Sequence, residues 1–534
     1  MIDLIHKRGF AWYSDAGCHV KGYLITAGGA YLKGDCLLSH FAEAKSSDEI
    51  IRNLEGSTGI YSLVLERGER RFLIVDPLRT FPLFYRLSLE ETHVSDDVNC
   101  LNRMDGEWSL NRAAAAEFRS AGFVTGKETL SNEVFQVEAA QVVELERSIV
   151  SPRFYWSYQI GETWDRSFKF FMASLDQMTT TVFRRLVQSL EGRTAVIPLS
   201  GGYDSRFIIA MLHQSGYDKL ICYSYGREGN REMKLAEQVA NQLEIQYIPV
   251  IYSEELIDGF EQEEAFGDYV DFSSNFTSMF FLQEYFAVKY LKENRLIPHD
   301  AIFIPGHTAD FFAGSNYLKH GLPERREPLI KTIRRIHRVK YSLSSVPPSR
   351  LMLKRIAGTL REKKMVDGAM SHTVYEDWDL KEKFAKFIGN SCSVYDWFGY
   401  EYRLPFFDLE FMNFFRSVPL KFKQNKVLYD TYLKEGLFQR LRINMEGEMQ
   451  PSGRLQRRFR WRARVKQLIP DRLLSWRYQR EDDIFYKEAT GRLKQELRDR
   501  GVKVSVEGRS YNSLLVQWYL ERVRRGHSVR HHSL

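Results

Sequence analysis

Ser200-Gly201-Gly202-Tyr203-Asp204-Ser205 stand between an apolar run, Ala195-Val196-Ile197-Pro198-Leu199, and a helix-like stretch from Arg206 to Gln214. A strand, a glycine-bearing turn and a helix N-terminus in that order leave several backbone N–H groups without intrahelical partners. These groups lie at the positive end of the helix dipole, where an anion is stabilised. A phosphate chain suits such a cradle, so ATP is the first ligand to consider, held by Ser200 through Ser205.

Outward from this turn the pattern alternates between helix and strand. A long amphipathic helix is expected over Phe168 to Leu190, before the Ala195 strand. Further strands are expected at Lys219 to Tyr225, Gln246 to Ile251 and Ala301 to Pro305, with a helix over Arg231 to Leu243. Alternation of this kind predicts a parallel sheet flanked by helices, with ligands beyond the carboxyl ends of its strands. Gly306-His307-Thr308-Ala309-Asp310 ends the last of these strands, which puts it on the same rim as the Ser200 turn. Residues 1 to about 150 read differently, as short strands between turns. Gly59–Glu66 and Arg71–Asp76 flank Arg67-Gly68-Glu69-Arg70 as a hairpin, a helix is expected over Leu110 to Ser120 behind Ser109 or Asn111, and Gln141–Glu146 is a closing strand. Ser151-Pro152-Arg153 then reads as a break at a domain junction.

The Ser-Gly-Gly-x-Asp-Ser turn resembles the pyrophosphatase loop of the N-type ATP pyrophosphatases. Three later segments resemble, in order, those of the asparagine synthetase family. They are Tyr223-Ser224-Tyr225-Gly226 with Asn230-Arg231-Glu232, then Ile304 through Gly314, and then Glu401-Tyr402-Arg403-Leu404-Pro405-Phe406-Phe407-Asp408 followed by Lys426-Val427-Leu428. Residues 56 to 85, especially Gly59-Ile60-Tyr61-Ser62 and Asp76 through Tyr85, resemble the later part of a class II glutamine amidotransferase domain. The resemblance implies an α/β chain in three parts. Residues 1–155 form a degenerate, Ntn-hydrolase-like α+β sandwich, and 156–450 a parallel-sheet, HUP-like ATP pyrophosphatase domain. Residues 451–534 form a basic, mainly helical extension.

The family chemistry is adenylation of a carboxylate by ATP, with release of pyrophosphate, then of AMP as an amide forms. In this reading the backbone of Ser200 to Ser205, with Ser224 and Gly306, binds nucleotide, and Asp204 and Asp310 hold Mg²⁺ that bridges phosphate oxygens. Lys426 supplies positive charge to the reacting phosphorus, and Glu401 and Arg403 either touch substrate or form an internal ion pair. Asp204 as a helix cap and Lys426 as a surface lysine are the plainer alternatives. His307 stands where the family carries an acid, so it is either a neutral base toward an amine or a spectator. Glutaminase activity in the class II domain needs a cysteine with a free α-amine, whereas position 2 is Ile2 and the nearest thiol is Cys18. The nitrogen source expected is therefore ammonia, an amine of a second substrate, or a separate glutaminase.

Composition narrows the class further. Of the 534 residues, 44% are hydrophobic and 27% charged, the profile of a globular chain of several domains. No long apolar run or signal-like N-terminus is present, so the expected compartment is the cytoplasm. Five scattered cysteines make neither a disulfide framework nor a zinc spacing. Basic residues cluster at Lys331–Lys340 and at Arg454–Arg480, the latter interleaved with Phe459, Trp461, Trp476 and Tyr478. Without a nucleic-acid-binding module, nucleic acid is not an expected partner. A carrier-linked or small-molecule carboxylate, and peripheral membrane contact through the tail, remain open. The polysaccharide-associated family members, which amidate sugar acids, offer the nearest resemblance around Trp397–Glu401. A non-catalytic scaffold derived from the same family is the competing reading.

Overall fold

The structure is a computed structural model that describes the chain except residues 89–91, 105–106, 160–162, 317–326, 345–348, 361–370, 445–483, 505–510 and 532–534. In the N-terminal region, turn residues separate short strands, the central ones buried on both faces. One sheet runs in the order Ile149–Phe154, Gln141–Glu146, Arg70–Val75, Thr58–Arg67, Cys18–Ile25 and Trp12–Asp15, with Tyr31–Lys33 also on Cys18–Ile25, and all its pairs are antiparallel. The expected hairpin forms with Arg67 opposite Arg70 and Gly68 at φ +64°, the first central residue of a two-residue turn. A second sheet joins Ile2–Asp3, Thr92–Ser95, Phe84–Leu87 and Val134–Gln136. Val64, Leu73, Val75, Leu83, Tyr85, Val94 and Val143 fill the space between the sheets. On the other face of the larger sheet, Leu24, Leu63 and Ile74 pack under helices Asp35–Phe41 and Ser47–Leu54.

Two local expectations resolve in instructive ways. The helix Arg112–Ala121 starts where Asn111 Oδ1 accepts from the Ala114 amide at 3.0 Å, and it stops at Gly122 with φ +83°. Ser151-Pro152-Arg153, by contrast, is not a break, because all three residues lie in the Ile149–Phe154 strand with Pro152 opposite Val143. That strand is at the sheet edge, where a residue without an N–H leaves no neighbour unpaired.

The second region is a five-stranded parallel sheet in the order Gln246–Ile251, Leu220–Gly226, Ala195–Pro198, Ile302–Phe303 and Glu401–Tyr402. Its central strands read as nearly continuous apolar runs because helices such as Phe168–Ser189 and Tyr203–Gln214 cover the sheet, as parallel sheets require. The Ala195–Pro198 strand pairs on both sides, so its carboxyl end, the Ser200 turn, opens at the middle of the rim. For the Glu401–Arg403 segment the sequence leaves substrate contact and an internal ion pair both open, and it supplies the fifth strand. It pairs Glu401 with Ile302 and Tyr402 with Phe303.

The described C-terminal helices, Tyr486–Asp499 and Tyr511–His531, pack onto the rest of the chain. Trp518 lies against Phe266 and Phe280, the Phe276 amide donates to Tyr519 Oη at 3.1 Å, and Arg522 grips Asp271 with two hydrogen bonds. The Arg454–Arg480 cluster lies outside the described residues. Among the described residues, no helix is long and apolar enough to cross a membrane.

Candidate active site

A cavity of about 810 Å³ opens at the carboxyl ends of the parallel strands. Ser200, Gly201, Gly202, Tyr203, Asp204, Ser205, Ser224, Gly306, His307, Asp310 and Lys426 all line it. Segments far apart in the chain thus share one wall, because parallel strands end on the same side of their sheet.

The Ser200 turn is held from behind. Ser200 N donates to Ser205 Oγ and Gly202 N to Ser200 Oγ, both at 3.1 Å. The buried Arg206 donates to the Gly201 and Gly202 carbonyls at 2.9 and 3.2 Å and to Ile443 O at 3.3 Å. Tying up these carbonyls fixes the loop's orientation. Arg206 was not singled out in the sequence, although an arginine heading the apolar run Phe207-Ile208-Ile209 was the available signal. Ser224 closes the neighbouring strand end by donating to Leu199 O at 2.5 Å.

Gly306 meets this loop at backbone distance. A Cβ placed there would lie 2.6 Å from Ser205 N and 3.0 Å from the Asp204 carbonyl carbon. Beyond Gly306, Thr308 at φ +85° turns the chain into the short helix Ala309–Phe312. The Asp310 amide there donates to Asp204 Oδ2 at 3.2 Å, and Tyr429 Oη donates to Oδ1 at 2.7 Å. Asp204 is therefore not a local helix cap, since its bonds reach other segments.

Burial first, and then the Asp310 charge, push the Asp204 carboxyl up to about 7, against the smaller opposing pulls of Tyr429, the Asp310 amide and Lys426. Two carboxylates with so little positive charge between them suit a divalent cation. Mg²⁺ characteristically takes one or two protein carboxylates and completes its shell with phosphate oxygens and water. The donor set of Asp204 and Asp310 beside a phosphate cradle matches that habit. No group of three or more ligating side chains is found among the described residues.

Lys426 reaches the cavity from an unusual backbone. Asn425 and Lys426 both have left-handed φ, +59° and +56°. Asparagine adopts this conformation readily, whereas a lysine resists it by about 1–2 kcal/mol, and such strain is typically retained at functional sites. Lys426 Nζ lies 3.3 Å from Asp430 and 5.4 Å from the Tyr203 ring.

Three side chains revise the sequence reading. Ser391 donates its hydroxyl proton to Ile388 O at 2.6 Å, so it accepts from His307 Nε2 at 3.0 Å. The imidazole proton is thereby assigned to Nε2. Burial depresses the His307 pKa to about 4, so the imidazole is neutral near pH 7 and only weakly basic. Glu401 and Arg403 are not brought to the cavity. The fully buried Arg403 donates to Ser189 O at 2.8 Å, Tyr402 O at 3.0 Å, Tyr31 Oη at 3.2 Å and Glu401 Oε2 at 3.0 Å. Lys33 and Arg193 complete the pairing of Glu401 at 2.6 and 3.1 Å. Burial alone would raise the Glu401 pKa, but Arg403, then Arg193 and Lys33, hold it down to about 2.

This cluster joins the two regions, since Tyr31 and Lys33 come from the N-terminal sheet. Arg403→Met is expected to cost about 3–5 kcal/mol, because it leaves the buried Ser189 and Tyr402 carbonyls without their donor while Glu401 keeps Lys33 and Arg193. Urea unfolding measures the loss. Arg403→Lys should fail to restore stability, as a point charge cannot reproduce the planar fork; full rescue by lysine would refute this account.

Glu284, Tyr223 and Tyr395 also line the cavity and were missed. No local motif marked Glu284, because its partners come from two other segments. Away from this site, Lys7, Arg8, Arg103, Arg500, Arg522 and Arg525 border a separate cavity of about 1080 Å³ beside Trp397.

The asparagine synthase family model matches residues 177–518. None of the curated proteins matches the chain. Among solved structures, an NH3-dependent NAD synthetase from Campylobacter jejuni shares 15% identity at a TM-score of 0.19, over 29% of this chain and 61% of that one. A glutamine phosphoribosylpyrophosphate amidotransferase from B. subtilis, complexed with ADP and GMP, shares 8% over 46% of this chain and 74% of its own, also at 0.19. An NAD+ synthetase from Burkholderia pseudomallei shares 11% over 52% and 92%, again at 0.19.

Proposed function

The chain belongs to the asparagine synthase family, and on that footing we propose that it is an ATP-dependent carbon–nitrogen ligase that adenylates a substrate carboxylate and converts it to an amide. The observation that carries this reading is the convergence of the Ser200–Ser205 loop, Asp204, Gly306, Asp310 and Lys426 on one cavity. A carboxylate oxygen attacks the α-phosphorus of ATP, the bond to the β-phosphate bridging oxygen breaks, and pyrophosphate leaves. Nitrogen then attacks the acyl carbon, the amine's surplus proton is lost, and AMP leaves with the acyl oxygen.

The loop amides at the head of the Tyr203–Gln214 helix hold the departing pyrophosphate, and Lys426 faces the charge that builds on the α-phosphate. Mg²⁺, held by Asp204 and Asp310, would neutralise phosphate charge. The family resemblance around Trp397–Glu401 supports a sugar acid, free or carrier-linked, as the carboxylate. Nitrogen comes as ammonia or an amine, from solution or a separate glutaminase. Supporting this, burial raises the Cys18 thiol to about 11, and burial with Asp3 raises Cys100 to about 12, the reverse of what a nucleophile needs.

ATP–pyrophosphate exchange over a panel of amino acids and uronic acids tests the reading. Exchange with one acid is the expected result, and it identifies the substrate. No exchange with any acid would favour a non-catalytic scaffold, the reading that His307 in place of the family's acid keeps in view. Steady glutamine hydrolysis by the purified chain would overturn the nitrogen assignment.

A further inference from the structure

Glu284 is 4% exposed and immediately precedes the helix Tyr285–Glu293 at the cavity wall. Its Oε1 accepts from both Tyr223 Oη and Tyr395 Oη, the latter at 3.1 Å. Its other oxygen, Oε2, has no hydrogen-bond partner, and no lysine, arginine or histidine pairs with this carboxylate among the described residues. Burial raises its pKa to about 7, with the two phenols pulling the other way and no cation contributing. The free oxygen faces the cavity, but a carboxylate this buried and without a cationic partner is only partly solvated, a cost of which two phenols return only part. Such a group is stabilised when a cation arrives.

We propose that the free oxygen of Glu284 forms a cation subsite in this cavity, which binds the nitrogen donor as ammonium or a primary alkylammonium before a proton is lost to solvent and the neutral amine attacks. This rests on the adenylation reading. With a sugar acid as the carboxylate, neither ATP nor the acid carries a cationic group, and the nitrogen donor is the organic reactant that arrives positively charged. The surroundings suit it. Tyr223, Tyr225 and Tyr395 offer aromatic walls, which attract compact cations, and the neutral His307 does not repel one. A metal ion fits less well, since the carboxylate's partners are two phenols rather than a second carboxylate. The amino group of adenine is neutral and would leave the carboxylate's charge uncompensated.

The test uses the full chain with the acid that supports exchange, and ammonium chloride and methylamine as probes at constant ionic strength. Glu284→Gln is expected to raise the KM for the accepted probe by at least about tenfold, the effect of losing a charge-assisted hydrogen bond. It should lose far less in ATP–pyrophosphate exchange, which needs no nucleophile. Should Glu284→Gln lose exchange as well, Glu284→Asp, which keeps the charge and withdraws it by one methylene, carries the same comparison. An unchanged KM for the probe overturns the subsite, as does amide formation from neither probe. A raised KM for ATP in exchange also overturns it, placing the adenine against Glu284 instead. Absence of exchange in the unmodified chain is a separate failure, that of the adenylation reading itself.

Discussion

Asp204→Asn is expected to reduce ATP–pyrophosphate exchange by at least about a hundredfold, the scale on which removal of one preorganised charge-stabilising group is felt. The same substitution should make the metal-free protein more stable. The folded carboxyl sits at about 7, raised by burial and by Asp310, whereas an unfolded aspartate titrates near 3.9. A raised folded pKa means that the native state binds the proton more tightly than the unfolded chain. The associated stability is therefore complete below the unfolded value and is lost as pH rises through about 7. Asparagine removes that loss.

With solvent reaching the cavity, a gain of roughly 1–2 kcal/mol at pH 8 is expected, shrinking toward pH 5. Thermal unfolding at the two pH values, without and with Mg²⁺, measures it. Mg²⁺ should stabilise the unmodified chain at pH 8 and leave Asp204→Asn little changed. Wild-type-like exchange in the variant would remove Asp204 from the chemistry, and an unaltered melting temperature would remove the electrostatic strain.

Gly306→Ala is expected to reduce exchange by about a hundredfold through position alone, since a displacement of about 1 Å commonly costs that much. The added methyl would sit 2.6 Å from Ser205 N and 2.9 Å from Ser205 Cα. Both are backbone atoms, so no side chain can swing aside. The Gly306–Asp310 segment must move away from the Ser200 loop and lengthen the 3.2 Å bond from the Asp310 amide to Asp204. The measurable signature is a raised KM for ATP together with a lowered exchange rate, while the N-terminal sheets, which share no strand with this sheet, keep their protection in hydrogen exchange. Activity within a few-fold of the unmodified chain would show that the two segments need not be in contact.

The amino-acid sequence by itself determined the strand–turn–helix at Ser200, the alternation that makes the parallel sheet, and the meeting of Asp204 and Asp310 on one rim. These follow from local rules: apolar periodicity, turn residues, and the fact that parallel strands end together. It also showed His307 as the departure at that rim. Only the tertiary structure decided what the charged residues touch. Glu401 shares a segment with Pro405 and Asp408, but its Lys33 partner lies 368 positions away in the N-terminal sheet, so nothing local separates a bridging residue from a catalytic one. Glu284 finds its phenols 61 and 111 positions away. Burial, and with it the raised carboxyls of Asp204 and Glu284 and the depressed imidazole of His307, arises only when those distant segments exclude water.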